Sequence, residues 1–246
     1  MKPQQVFLFI VFTVFGLQAV AEEKIYSQYF ESSDGLKIHY VTSGTEGSYV
    51  VLVHAYGTDV GSWINTGILQ ALAKNHRVVA IDCRNHGKSD KPNPNRFGIA
   101  SDVVELMDHL KIEKAHLHGY SMGGGIVSQI LLAQQDRIIT ASLGGSGIGE
   151  RDPERIAKLP KDKESKRAGQ PSPTRPGPKQ SVEFITVPVL ALVGEYDNPS
   201  EKTTRMQREI KNFDKVIIRN RGHRGTMIDK KYRSEVVKFI NKNDGD

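Results

Sequence analysis

The stretch HGYSMGGG, residues 118–125, sets one serine among four glycines. It stands between a short β-rich run at 115–119 and a helical pattern at 125–134. A chain that turns from strand to helix within so few residues forces the serine at the corner, Ser121, into strained torsions. The residues two places to either side are driven so close that a Cβ on either would clash. Glycine at 119 and 123 removes that obstacle, at a cost in backbone entropy. The gain is a hydroxyl lifted clear of the sheet edge.

Outward from this corner the chain alternates β-rich runs with helical patterns. Tyr26–Glu31 and Leu36–Val41 flank Ser32-Ser33-Asp34-Gly35, whose Asp-Gly pair predicts a hairpin. Continuous apolar runs at 49–54 (YVVLVH) and 77–82 (RVVAID) read as strands buried on both faces. Further strands are expected at 138–143, 187–194 and 215–219. Helical spacing of apolar residues marks 63–74, 100–110, 201–210 and 230–241. Such alternation predicts an α/β domain whose mostly parallel sheet is covered by helices on both faces, with an antiparallel hairpin at the N-terminal edge. No internal repeat is evident.

Length and composition bound the rest. At 246 residues the chain suits one domain, 22–246, preceded by a leader at 1–21. The leader is expected because Lys2 precedes an apolar run, Val6–Leu17, which is followed by Ala19 and Ala21 in the small-x-small arrangement a signal peptidase needs. The run is shorter than the roughly 20 residues that span hydrocarbon. An exported protein, periplasmic or secreted, with no stable membrane span after cleavage is the expectation, and an uncleaved anchor is the alternative. Cys83 is the single cysteine, so no intramolecular disulfide forms; it reads as a free thiol at the end of a buried strand. The net charge is +6, and residues 150–180 carry nine Lys/Arg against five Asp/Glu. That segment, rich in Lys, Glu, Pro and Gly, reads as a solvated insertion; no aromatics interleave with its basic residues as a nucleic-acid surface would want.

Gly119-Tyr120-Ser121-Met122-Gly123 fits G-x-S-x-G in its required strand–turn–helix setting. In that setting the Met122 amide, at the start of the next helix, faces an oxygen that becomes negative during acyl transfer. With this motif in place the sequence resembles the α/β-hydrolase fold family, specifically its lipase, esterase and small-molecule hydrolase members. The resemblance covers nearly all of residues 26–241. It rests on DGLKIHYVTSG (34–44), LVHAYG (52–57), DCRNHGKSD (82–90), HGYSMGG (118–124), LVGEYD (192–197) and RGHRG (221–225), in that order. It implies an eight-stranded sheet, with residues 150–180 as a short, polar lid.

The resemblance also implies a chain order of nucleophile, acid and histidine, because a serine hydroxyl needs an adjacent base and that base an orienting carboxylate. Ser121 is then the nucleophile and His223 the base. Asp197 is the acid, with Glu195, two residues earlier, as its rival. The second oxyanion donor is the Tyr56 amide, beside Met122, with Ala55 standing where glycine is usual. His54 and residues 82–87 are expected to brace loops, Asn85 again replacing a common glycine.

Three other patterns are set aside. Gly87-Lys88-Ser89 ends like a phosphate-binding loop, but Asp82 occupies the first glycine position. His116-x-His118 places two imidazoles on one strand face without an evident acid or thiol partner, so both read as core histidines. No G-x-G-x-x-G follows an early strand, and no cofactor or metal is called for. The expected activity is a serine hydrolase cleaving a small or medium carboxylic ester, a lactone included, through an acyl-enzyme. The scarcity of apolar residues at 150–180 argues against an interfacial lipase. Peptide, thioester or carbon–carbon bond hydrolysis would use the same residues, and a non-catalytic binding protein on this scaffold is the alternative from another class.

Overall fold

A turn at Ser32–Gly35 closes the first hairpin, with Gly35 at φ +78° and its amide donating to the Ser32 carbonyl at 2.8 Å. The strands it joins are β1 (Tyr26–Glu31) and β2 (Lys37–Ser43), paired antiparallel. A computed structural model describes residues 24–92, 99–149, 182–197 and 200–245. Within them the remaining strands are β3 (Tyr49–Val53), β4 (Arg77–Ile81), β5 (Ala115–Tyr120), β6 (Ile138–Gly144), β7 (Val189–Gly194) and β8 (Phe213–Ile218). They form one eight-stranded sheet in the order β1-β2-β4-β3-β5-β6-β7-β8. From β4 to β8 every pairing is parallel, and β2 joins β4 antiparallel. This is the architecture expected from the sequence.

Among the described residues the α-helices are α1 (Gly61–Asn65), α2 (Ile68–Ala73), α3 (Ala100–His109), α4 (Met122–Ala133), α5 (Ser200–Glu209), α6 (His223–Met227) and α7 (Lys230–Lys242). Strand residues alternate between two cores. Val51 and Val53 of β3 pack with α3 and α4 through Leu106, Ile126 and Ile130. Val50 and Leu52 face the other way, toward Trp63, Leu69 and Leu72 and toward Tyr232, Val236 and Ile240 of α7. The period-2 alternation of a strand delivers apolar side chains to both layers, which is why β3 and β4 read as unbroken apolar runs.

Several boundaries differ from the sequence reading, β2 running on to Ser43 and β7 starting at Val189 among them. The helix expected over 63–74 is two helices, because Gly67 lies between them at φ +69°, outside the right-handed region. α4 begins at Met122, ahead of 125, and takes the glycine run into its first turn. β8 begins at Phe213, ahead of 215. Cys83 is buried, with burial pushing its thiol pKa up, as expected for a structural cysteine. Among the described residues no helix is long and apolar enough to cross a membrane. The leader expected at 1–21 and the lid expected at 150–180 fall on residues outside those described.

Candidate active site

Ser121 sits where β5 ends and α4 begins, at φ +53° and ψ −107°. A non-glycine residue with that φ is strained and persists only where its surroundings fix it. Here the Ser121 amide donates to the Gly144 carbonyl at 2.8 Å, and the Gly125 amide donates to the Ser121 carbonyl at 3.0 Å. The two motif glycines serve different approaches. A Cβ at Gly119 would overlap the backbone of Gly123 and Gly124, as the sequence predicts. A Cβ at Gly123 would instead run into the carbonyls of Val53 and His54 at the end of β3. Glycine 123 therefore lets the elbow press against the loop after β3.

Ser121 occupies the N-cap position of α4, yet its side chain caps no helical amide. The hydroxyl lies 2.9 Å from His223 Nε2, and His223 Nδ1 lies 2.8 Å from Asp197 Oδ2. A carboxylate accepts only, so Nδ1 carries the proton and Nε2 turns its lone pair to Ser121. The Asp197 hydrogen bond raises the His223 pKa above its ordinary value, against the lowering effect of partial burial. The rival carboxylate is elsewhere: Glu195 accepts from the Asn220 amide at 2.8 Å. Asp197 is held by the turn after β7, its amide donating to the Gly194 carbonyl at 3.0 Å. Gly194 has no room for a Cβ, because Thr226 Oγ1 and the Arg221 carbonyl occupy that space. The acid turn and the histidine loop are thereby packed together.

Tyr120 is a residue the sequence reading did not single out. Its buried hydroxyl donates to the backbone carbonyl of His223, and its ring lies 5.5 Å from the imidazole. Burial pushes the phenol pKa up, so it remains a donor. Its place inside a motif known for its serine hid it; the available clue was an aromatic with a polar handle at the end of a buried strand.

The loop after β3 is anchored through one peptide group. The Cys83 amide donates to His54 Nε2 at 3.0 Å, which places the ring proton on Nδ1, and Nδ1 donates to the Ala55 carbonyl at 2.7 Å. The Thr58 amide and hydroxyl donate to the same carbonyl at 3.2 and 2.9 Å. In a trans peptide the carbonyl and the following N–H point oppositely, so pinning Ala55 C=O aims the Tyr56 N–H away from this cluster. Ala55 is not in the left-handed region; Gly57 is, at φ +73°. The position that glycine usually fills thus does not need a left-handed residue here.

The flanking loop at 82–90 is structural, as read. Asp82 accepts from the Val60 and Lys88 amides, both at 2.8 Å, and lies 2.7 Å from His39 Nδ1. Asn85 takes φ +67°, which asparagine tolerates and which accounts for the residue replacing glycine. Arg84 is buried between Asp102 and Asp34, at 2.6 and 2.8 Å. His118 is a core histidine, 2.6 Å from Ser142 Oγ and 3.1 Å from the Tyr232 hydroxyl.

This topology, with a strained serine at the β5–α4 corner and an Asp–His pair on the loops after β7 and β8, defines an α/β-hydrolase fold. A sequence model described as alpha/beta hydrolase fold matches residues 49–164. That match covers just under half of the chain, and the fold of the described residues is that of this family. The chain is 31% identical over 194 residues to a 2-hydroxy-6-oxononadienedioate/2-hydroxy-6-oxononatrienedioate hydrolase of Paraburkholderia phymatum, covering 77% of this chain and 58% of that protein. It is 36% identical over 98 residues to 3-oxoadipate enol-lactonase 1 of Acinetobacter baylyi, covering 39% and 36% respectively. Among solved structures, a predicted hydrolase from Thermoplasma acidophilum superposes with a TM-score of 0.69 at 15% identity, covering 89% of this chain and 99% of that one. The matched region spans only 30% of the length of some curated relatives and 58% of others.

Proposed function

We propose that this protein is a serine hydrolase that cleaves a small or medium carboxylic ester, a lactone included, through an acyl-enzyme. The observation that carries the reading is the continuous line of hydrogen bonds from Ser121 through His223 to Asp197. His223 Nε2 takes the Ser121 proton as Oγ attacks the ester carbonyl carbon. The resulting oxyanion is stabilised by the Met122 amide, one of the first-turn donors that lack an intrahelical partner, and by the Tyr56 amide. His223 then gives the proton to the departing alcohol, activates water against the acyl-Ser121 ester, and returns the hydroxyl to Ser121. The positive end of α4 lies at Met122 and favours the developing charge.

The enol-lactonase among the relatives supports the ester class. The composition of 150–180, with Ile156, Ala157, Leu159 and Ala168 as its apolar residues, supports soluble substrates over emulsified lipid. The test is labelling by a fluorophosphonate together with turnover of a panel of soluble esters and lactones. Ser121→Ala is expected to abolish both; labelling that survives in the variant would overturn the assignment. A second reading, carbon–carbon bond hydrolysis, is favoured by the 194-residue match to the dienedioate hydrolase. Faster cleavage of a 2-hydroxy-6-oxo-dienoate than of any ester on the panel would select it. Residues 1–21 are proposed as a cleaved leader, tested by whether the mature chain from a periplasmic or culture fraction begins at Glu22.

A further inference from the structure

At the end of the sheet opposite Ser121, two buried imidazoles and one carboxylate converge. His76 immediately precedes β4, His116 is the second residue of β5, and Asp244 follows α7. His116 and Ser121 are five positions apart along one strand, roughly 16 Å at 3.3 Å per residue. Each of the three offers one ligand atom within 4.8 Å of the other two. His116 Nε2 lies 3.3 Å from Asp244 Oδ1, and His76 Nδ1 lies 3.5 Å from Asp244 Oδ2. Both separations are long for a charge-assisted hydrogen bond. The two distances run to different oxygens of Asp244, so a small turn of that partly exposed carboxylate is needed to bring one oxygen to both nitrogens. The edge of a tetrahedron around an ion with bonds of about 2.0–2.1 Å is roughly 3.3–3.4 Å.

The outer nitrogens are held as metal-binding histidines usually are. His76 Nε2 lies 2.7 Å from Asn241 Oδ1, an acceptor, so Nε2 carries the proton and the Nδ1 lone pair faces Asp244. His116 Nδ1 lies 2.8 Å from Thr140 Oγ1, which can accept its proton and leave Nε2 as the inward lone pair. Ser48 Oγ lies 3.1 Å from His76 Nδ1, and metal binding displaces that hydrogen bond. The Asp244 side chain is 29% exposed, which gives an ion a path in from solvent.

We propose that His76, His116 and Asp244 form a second site, a three-ligand site for Zn2+ or a similar borderline divalent transition ion. Two imidazoles and a carboxylate suit such an ion, with water in the fourth position. Its effect is to tie the segment after α7 to the leading ends of β4 and β5, a staple in a chain whose one cysteine allows no intramolecular disulfide.

The experiment uses the full chain, stripped with a chelator and titrated with Zn2+ while thermal unfolding is followed, and with Co2+ while visible absorption is followed. At free Zn2+ a hundredfold above Kd, Tm is expected to rise by roughly 5–10 °C. Co2+ is expected to give the d–d bands of a four-coordinate ion at one equivalent. Asp244→Ala, a change at the partly exposed ligand, should fold without metal and lose both responses. Absence of a Zn2+ shift in the parent chain would overturn the proposal. So would a shift undiminished in Asp244→Ala, which would place the ion elsewhere, for instance on His223 and Asp197.

Discussion

Replacing Asp197 with asparagine changes one atom of the side chain and reverses the tautomer on which the proposed chemistry depends. In the parent chain Oδ2 accepts from His223 Nδ1 at 2.8 Å, which leaves Nε2 as a lone pair 2.9 Å from Ser121 Oγ. An asparagine turns an N–H to Nδ1, the ring proton moves to Nε2, and the imidazole faces Ser121 as a donor unable to take its proton. In a serine hydrolase of another fold this swap costs about ten-thousandfold in kcat, about 5.4 kcal/mol of barrier. A loss of that order is expected here, measured as kcat on a soluble chromogenic ester. The pH profile gives an independent reading. The base works as neutral imidazole, so the rate falls as pH drops through the His223 pKa, which Asp197 holds above its ordinary value. Without the carboxylate that acid limb moves to lower pH. A variant within about tenfold of parent kcat, with its acid limb unmoved, would refute the reasoning. Glu195→Gln serves as the control and should lose less than about tenfold, because Glu195 holds the Asn220 amide and not the imidazole.

Four further outcomes follow from the packing. Gly123→Ala places a methyl against the Val53 and His54 carbonyls; it should lower urea-unfolding stability by about 1–3 kcal/mol and depress fluorophosphonate labelling. Tyr120→Phe keeps the ring against His223 but deletes the donor to its carbonyl, so kcat should drop roughly ten- to a hundredfold while the fold, read by circular dichroism, persists. Arg84→Ala strands Asp102 in the interior and should cost about 3–5 kcal/mol in chemical denaturation. His118 is buried with its pKa lowered to about 3, so below about pH 6.5 the unfolded chain binds a proton that the folded chain refuses. Its contribution is complete above that pH and is lost as pH falls toward 3, up to roughly 2 kcal/mol between pH 6.5 and 5. Urea titrations at the two pH values should show a smaller drop in His118→Gln.

The sheet was legible because each strand carries its own evidence: β3 and β4 feed two cores and read as unbroken apolar runs, while β1 and β2 announce their turn with Asp34-Gly35. The corner at Ser121 was legible for a similar reason, since its glycines lie within two residues of it. What failed to show is non-local. The apolar spacing over 63–74 continues through Gly67 as though the helix did, and only the left-handed φ at that glycine separates α1 from α2. The Arg84–Asp102–Asp34 pairing joins residues 18 and 50 positions apart, and no short-range pattern encodes it. Tyr120 was missed because its partner is a backbone carbonyl 103 positions away, and any residue type supplies a carbonyl. The same holds for Asp244, whose absence from the local sequence around His116 made the metal reading look unsupported until the fold brought them together.

The strain at Ser121 is a consequence of where α4 must lie. Ile126, Val127, Ile130 and Leu131 are all buried against the sheet, and each such side chain is worth about 1.5–3 kcal/mol. A residue held outside the favoured φ/ψ regions costs about 1–3 kcal/mol, so the packing of one helical face outweighs it. A serine at an N-cap ordinarily returns about 1 kcal/mol by accepting from the first turn. Ser121 forgoes that bond, because its torsions point the hydroxyl at His223. The first-turn amides of α4 therefore lack the side-chain acceptor that most helices provide. The geometry that withdraws the hydroxyl from capping also leaves the Met122 amide without that acceptor, so the proposed nucleophile and the proposed oxyanion donor arise from one distortion of the chain.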